Sequence, residues 1–212
     1  MNELEKFGNI PIDNAVLSDI TGDYNFPRNK VASMEKRGDI IRLKKGLYVV
    51  SDKISRKKIS RELIANHLYG VSYISLETAL SHYGLIPEKV FAIRSMTTKR
   101  AKLFENAFGR FEYIAAPTDY FSIGIRQQIV ENEYAYLIAT PEKALCDLIL
   151  ATPNLRIQSV KAMQAYLEDD LRIDFSAVEK FNLDIIRQCI EVGKKKGELS
   201  NLLKIFDSFD FG

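Results

Sequence analysis

Residues 25–50 read NFPRNKVASMEKRGDIIRLKKGLYVV, and this stretch decides the fold. Asn25 is a good helix cap, because its side chain can accept from the first free backbone N–H groups. Pro27 sits where a helix has no N–H to lose. Val31 and Met34 fall three apart on one face, while Asn29, Ser33 and Lys36 point the opposite way on a wheel of about 100° per residue. Gly38 supplies the helix stop. Ile40 and Ile41 open a strand, Arg42-Leu43-Lys44-Lys45-Gly46 makes a basic turn, and Leu47 to Val50 returns as a second strand. A capped helix, a glycine stop and a basic-tipped hairpin, in that order, predict the recognition helix and wing of a winged helix-turn-helix.

Charge placement points the same way. From Arg28 to Arg61 there are twelve basic residues and three acidic ones, a local charge of +9 in a chain whose total is +2. The remainder therefore carries −7. A local positive field on a nearly neutral chain is the footprint of a phosphate-binding module. The expected double-stranded DNA contacts are Arg28, Asn29, Lys30, Ser33 and Lys36 in the helix, with Arg42, Lys44 and Lys45 in the wing. Asn29 suits an adenine edge and Arg28 a guanine edge in the major groove, whereas wing lysines suit phosphates.

Working outward, a short helix is expected around Leu4 and Phe7. Another follows over Ile12–Thr21, with Asp13 as its cap and Val16, Leu17 and Ile20 buried. Ser51–Lys58 is polar and basic and reads as a junction, dividing the chain into a DNA-binding domain over residues 1–54 and an α+β domain over 55–212. Ser55 or Ser60 caps a helix to Tyr69, and Ser75 caps SLETALSHYG. Short aromatic and β-branched runs at Val90–Met96, Phe108–Ala115, Phe121–Arg126, Gln128–Val130 and Tyr134–Ala139 predict an antiparallel sheet of four or five strands. Thr140-Pro141-Glu142 starts a helix, and further helical patterns lie near 157–168, 176–192 and 198–209. Helices, then strands, then helices make the class α+β.

With 212 residues, 46% hydrophobic and 27% charged, the chain has the composition of a globular protein able to bury a core. No N-terminal apolar region resembles a signal, and no apolar run approaches the roughly 20 residues of a membrane span, so a cytoplasmic protein without membrane contact is expected. Cys146 and Cys189 lie within apolar helical patterns and read as reduced core residues, a disulfide between them being the alternative.

Catalytic chemistry is thin. His67 and His82 stand alone among apolar neighbours, no cysteine has a partner at metal-ligand spacing, and no phosphate loop or nucleophile elbow is present. The chain is expected to be no enzyme, with no metal and no cofactor. A metal-dependent nuclease would draw on Asp119, Glu131, Glu133, Glu142, Lys143 and Asp147, but adjacent helical residues such as Glu142 and Lys143 diverge by about 100°. Arg94, Lys99, Arg100 and Lys102 form a second basic group, interleaved with Phe91 and Phe104. It reads equally as an exposed loop on the sheet and as an extension of the DNA surface or a face for an acidic partner. Lys194-Lys195-Lys196 suits a solvated helix end.

Three stretches together resemble the AbiEi family of antitoxins from type IV, abortive-infection toxin–antitoxin systems: RGDIIRLKKGLYVV (37–50), YISLETALSHYGLIPE (73–88) and IATPEKALCDLIL (138–150). The resemblance covers roughly residues 5–150. It implies a transcriptional autorepressor whose winged helix binds operator repeats before its own operon. It also implies a functional partner, a nucleotidyltransferase-like toxin opposed without a stable complex being required. Two other readings stand beside it. One is a ligand-responsive regulator outside toxin–antitoxin biology, favoured by a small acidic or apolar pocket in the second domain. The other is a protein-interaction module, favoured by a wing turned into that domain.

Overall fold

The computed structural model describes residues 3–22, 24–88, 90–175 and 181–208. The chain opens with a 3-10 turn over Glu3–Phe7. Strand β1 (Ile12–Asp13), helices α1 (Asn14–Thr21) and α2 (Pro27–Arg37), and the hairpin β2 (Ile40–Lys44) and β3 (Leu47–Val50) follow. Asp13 caps α1, accepting from the backbone N–H groups of Ala15 at 2.9 Å and Val16 at 3.1 Å. At α2 the cap is Phe26, not Asn25, and it provides no side-chain hydrogen bond. Pro27 fixes where the helix begins, so the residue before it takes the cap position whatever its side chain offers. Gly38, at φ +74°, ends α2, and the N–H of Asp39 returns to the Met34 carbonyl at 2.9 Å.

These strands form a three-stranded antiparallel sheet in the order β1-β3-β2. All four β3 residues are buried. Tyr48 and Val50 join Leu4, Ile12, Leu17, Met34 and Ile40 in a small core. Leu47 and Val49, with Leu43 of β2, join the large core of the remaining chain. Because side chains alternate along a strand, one strand serves two cores. Helix α3 (Asp52–Ser55) spans the expected boundary at residue 54.

The second part runs α4 (Arg61–Leu68), β4 (Ser72–Ile74), α5 (Leu76–His82), β5 (Ile93–Thr97), β6 (Lys102–Asn106), β7 (Gly109–Ala115), α6 (Thr118–Phe121), β8 (Ile125–Val130) and β9 (Tyr134–Ala139). Helices α7 (Pro141–Ala151), α8 (Val160–Ala165), α9 (Leu183–Val192) and α10 (Lys196–Ser208) complete it, with a π turn over Tyr166–Asp170 after α8. The class is α+β. The sheet is six-stranded, in the order β6-β7-β5-β4-β9-β8. It is mixed rather than antiparallel: β5 runs parallel to β7, and β4 parallel to β9. Strand alternation reports which residues extend but not which neighbours they choose. Phe121 closes α6 instead of opening a strand, and β6 appears where a loop was one reading of the sequence. Of the pattern near 176–192, residues 176–180 lie outside the described residues, as does residue 209 of the last helix. Among the described residues, no helix is long and apolar enough to cross a membrane.

Side chains also tie the halves together. Asn9 donates to the Lys58 carbonyl at 2.9 Å, and Asn106 donates to the Leu43 carbonyl at 3.2 Å. Because β3 belongs to both cores, the halves are expected to unfold together. Leu47→Ala should cost about 2–5 kcal/mol, read from the denaturant midpoint. Tyrosine circular dichroism and proteolysis within residues 51–58 should report one shared transition. Two separated transitions would show that the halves are energetically independent.

Candidate nucleic-acid interface

Helix α2 turns Met34 into the small core and packs Val31 at its edge. This leaves Arg28, Asn29, Ser33 and Lys36 exposed on the outer side. Lys30 lies on the flank, half-buried, with its ammonium 4.1 Å from the centroid of the Tyr24 ring. Ser33 is engaged, since its hydroxyl accepts from Arg37 at 2.9 Å while the same guanidinium pairs with Asp39 at 2.5 Å. An open groove separates α2 from the hairpin. Its charged lining consists of Arg28, Arg42, Lys45 and Glu35. Glu35 is already paired with Arg42 at 3.1 Å, and the Arg42 guanidinium also lies 5.6 Å from the Tyr48 ring. The expected helix and wing residues Arg28, Arg42 and Lys45 thus line one concave, net-positive surface.

Lys44 is the exception. Simple alternation would put it on the same side as Arg42. The register slips between Arg42 and Lys44, so that Arg42 stands opposite Tyr48 but Lys44 stands opposite Leu47, on the side of the large core. There its ammonium donates to the Leu68 carbonyl at the end of α4, where the helix dipole favours a cation. Burial lowers its pKa, and Lys102 and Lys99 lower it further. Lys45 alone remains exposed at the hairpin tip. The tip itself is held to α1, because the Gly46 carbonyl accepts from the Asn14 N–H at 3.2 Å.

The second basic group divides. Arg94 pairs with Glu77 and, at 3.4 Å, with Glu112, so its charge is neutralised. Lys99 and Lys102 each place an ammonium 5.4 Å from the Tyr69 ring, and Lys102 and Lys44 flank the Phe104 ring at 4.8 and 5.9 Å. Arg100 is exposed beside them. Lys44 therefore belongs spatially to this group and not to the groove. At the third basic run, Lys195 donates to the carbonyls of Ile149 and Thr152 at 2.9 and 2.6 Å, closing the end of α7.

The carboxylates weighed for metal chemistry are dispersed. Asp119 and Glu131 are exposed, and Glu133 is paired with Lys57. Glu142 accepts from the Asn182 N–H at 2.6 Å. Among the described residues, no three His, Cys, Asp or Glu side chains gather to hold a metal. Cys146 and Cys189 are free and buried.

Lys143 and Asp147 form what the sequence reading missed, a fully buried ion pair at 3.3 Å. The ammonium donates to the Tyr120 carbonyl at 2.9 Å and sits over the Tyr120 ring, while Ser75 donates to the carboxylate at 2.6 Å. Ser75 was expected to cap α5, but its hydroxyl is committed to Asp147 instead. Burial pushes the Asp147 carboxyl above its ordinary value, and the Lys143 charge and the Ser75 hydroxyl oppose that rise. The signal was present in the i,i+4 spacing of opposite charges, but it was overshadowed by the apolar pattern around it.

A scan against models of known protein families finds no match, and a search of curated proteins finds no relative at significant similarity.

Lys143→Met or Asp147→Leu alone should each cost about 3–5 kcal/mol, because the partner is left as an unpaired buried charge. The double replacement should recover most of that loss in chemical denaturation. A double variant no more stable than the worse single one would show that the other contacts, not the pairing, carry the cost.

Proposed function

We propose that this chain is a winged-helix, DNA-binding transcriptional autorepressor and the antitoxin of a type IV toxin–antitoxin system, opposing a nucleotidyltransferase-like toxin. The DNA-binding part rests on one observation above all. The groove between α2 and the hairpin carries Arg28, Arg42 and Lys45 against a single, already paired acid. In this reading α2 enters the major groove, Arg28 and Asn29 meet base edges, and Lys36 and Lys45 meet phosphates. The antitoxin part rests on the resemblance of the three quoted stretches, two of which meet in space through the Ser75–Asp147 hydrogen bond.

A specific observation favours a second reading, that of a protein-interaction module. One face of the hairpin packs into the large core through Leu43, Leu47 and Val49, and Lys44 follows it inward. A regulator that responds to a ligand draws on a different feature, a largely apolar pocket between Met96, Ile114, Tyr120 and Leu150 with Lys194 and Lys195 at its rim.

Binding to the chain's own upstream DNA and to random duplex across a salt series separates these readings. Preference for the upstream DNA with steep salt dependence supports the repressor, and absence of binding at low salt overturns it. Lys45→Ala should lower the slope of log affinity against log salt by about 0.9, one phosphate contact, whereas Lys44→Ala should leave it nearly unchanged. Arg28→Ala and Asn29→Ala should each lose about 1–3 kcal/mol of sequence preference. Equal weakening on specific and random DNA would remove both from the base-reading set.

A further inference from the structure

Phe26 stands at the cap of α2 with 71% of its surface exposed. Its carbonyl starts the helix by accepting from the Lys30 N–H at 3.1 Å, so the backbone meets the local structural need and the ring is left over. Tyr24, two residues earlier, is covered by the Lys30 ammonium. Among the described residues no ring or cation packs in this way on Phe26. The ring projects from a stretch free of acids: no carboxylate occurs between Phe26 and Met34, while Arg28 and Asn29 lie exposed just beyond it. An apolar side chain on a positively charged leading edge is matched by a surface that combines phosphates with an apolar group. In the major groove the thymine C5 methyl is that group, and the first residues of the second helix of a helix-turn-helix are those that reach base edges.

We infer that Phe26 reads a thymine methyl in the major groove, beside the edges met by Arg28 and Asn29. This inference rests on the DNA-binding reading above, and it adds a position of sequence preference that no polar side chain provides.

The test uses the full chain and a duplex selected from a random library for tight binding. The duplex is prepared once with thymine and again with single thymines replaced by deoxyuridine. Uracil keeps the pairing edge and loses only the methyl. At one or two positions the replacement should weaken binding about three- to five-fold, the effect of taking one carbon out of water. Phe26→Ala should bind the thymine duplex as weakly as the wild type binds the uracil duplex, and should not respond to the replacement. Phe26→Leu should keep part of the response. Because the side chain is exposed, far-UV circular dichroism should be unchanged in both variants. If the wild type binds but ignores every replacement, or if Phe26→Ala keeps the full response, the inference is overturned and DNA binding stands. If no duplex is selected and none is bound at low salt, the DNA-binding reading falls, and this inference with it.

Discussion

The structure depends on β3 being buried on both faces. Tyr48 and Val50 close the small core beneath α1 and α2, and Leu47 and Val49 enter the large one. A strand covered on both sides is usual at the centre of parallel sheets, where helices lie on both faces. Here a three-stranded antiparallel sheet reaches the same condition, with two helices on one side and the large core on the other. A domain of about fifty residues buries too little surface to be robust alone, and sharing a strand with a larger core offsets that weakness. The same arrangement shapes what the hairpin can touch. A hairpin that packs on its own protein has one free edge and a short free tip, so the surface it offers is small.

The second part of the chain has a comparable centre in Lys143 and Asp147. Removing both charges from water is expensive, and the pair is offset in part by further hydrogen bonds, although one Asp147 oxygen has only the Lys143 ammonium, at 3.3 Å, beside it. The Tyr120 carbonyl accepts from the ammonium and the Ser75 hydroxyl donates to the other carboxylate oxygen. Since these partners come from α6, the start of α5 and α7 itself, the geometry holds three elements in one relative position. Apolar packing at the same place would tolerate small slides between helices. A directional buried pair does not, which makes it a device for uniqueness more than for stability.

Helix α2 and the hairpin were legible in the sequence apart from the cap at Phe26, and α1 was legible from its cap onward, whereas Ile12 and Asp13, expected in that helix, pair with β3 as β1. Asp13, Pro27 and Gly38 act where their chemistry demands, and the alternation of β2 and β3 follows from β-branched and aromatic residues. What was not legible depended on contacts distant in sequence. The parallel pairing of β5 with β7 arises because β6 turns back against β7, and no local pattern encodes that order. Ser75 does stand at the cap of α5, but no local pattern shows that its hydroxyl turns to Asp147, 72 residues away. The placement of Lys44 has a subtler cause. A single-residue slip in the hairpin reverses a side chain's face, and nothing in the residues themselves marks the slip.

That slip sharpens the reading of the charge. Of the twelve basic residues between Arg28 and Arg61, Arg37, Arg42 and Lys57 have carboxylate partners, and Lys44 and Arg61 are held by backbone carbonyls. Arg28, Lys30, Lys36 and Lys45, on α2 and the hairpin tip, have no ion pair among the described residues, and neither have Lys53, Arg56 and Lys58 of the following junction. A face intended only for solvation gains from interspersed opposite charges, which reduce self-repulsion. Here the few nearby acids, Glu35 and Asp39, are used up on neighbouring arginines, and the repulsion among the remaining cations is left standing. A polyanion that supplied the missing charge would relieve that cost. In the DNA-binding reading proposed above, a regularly spaced phosphate backbone is the polyanion that meets a helix and a hairpin tip flanking one groove.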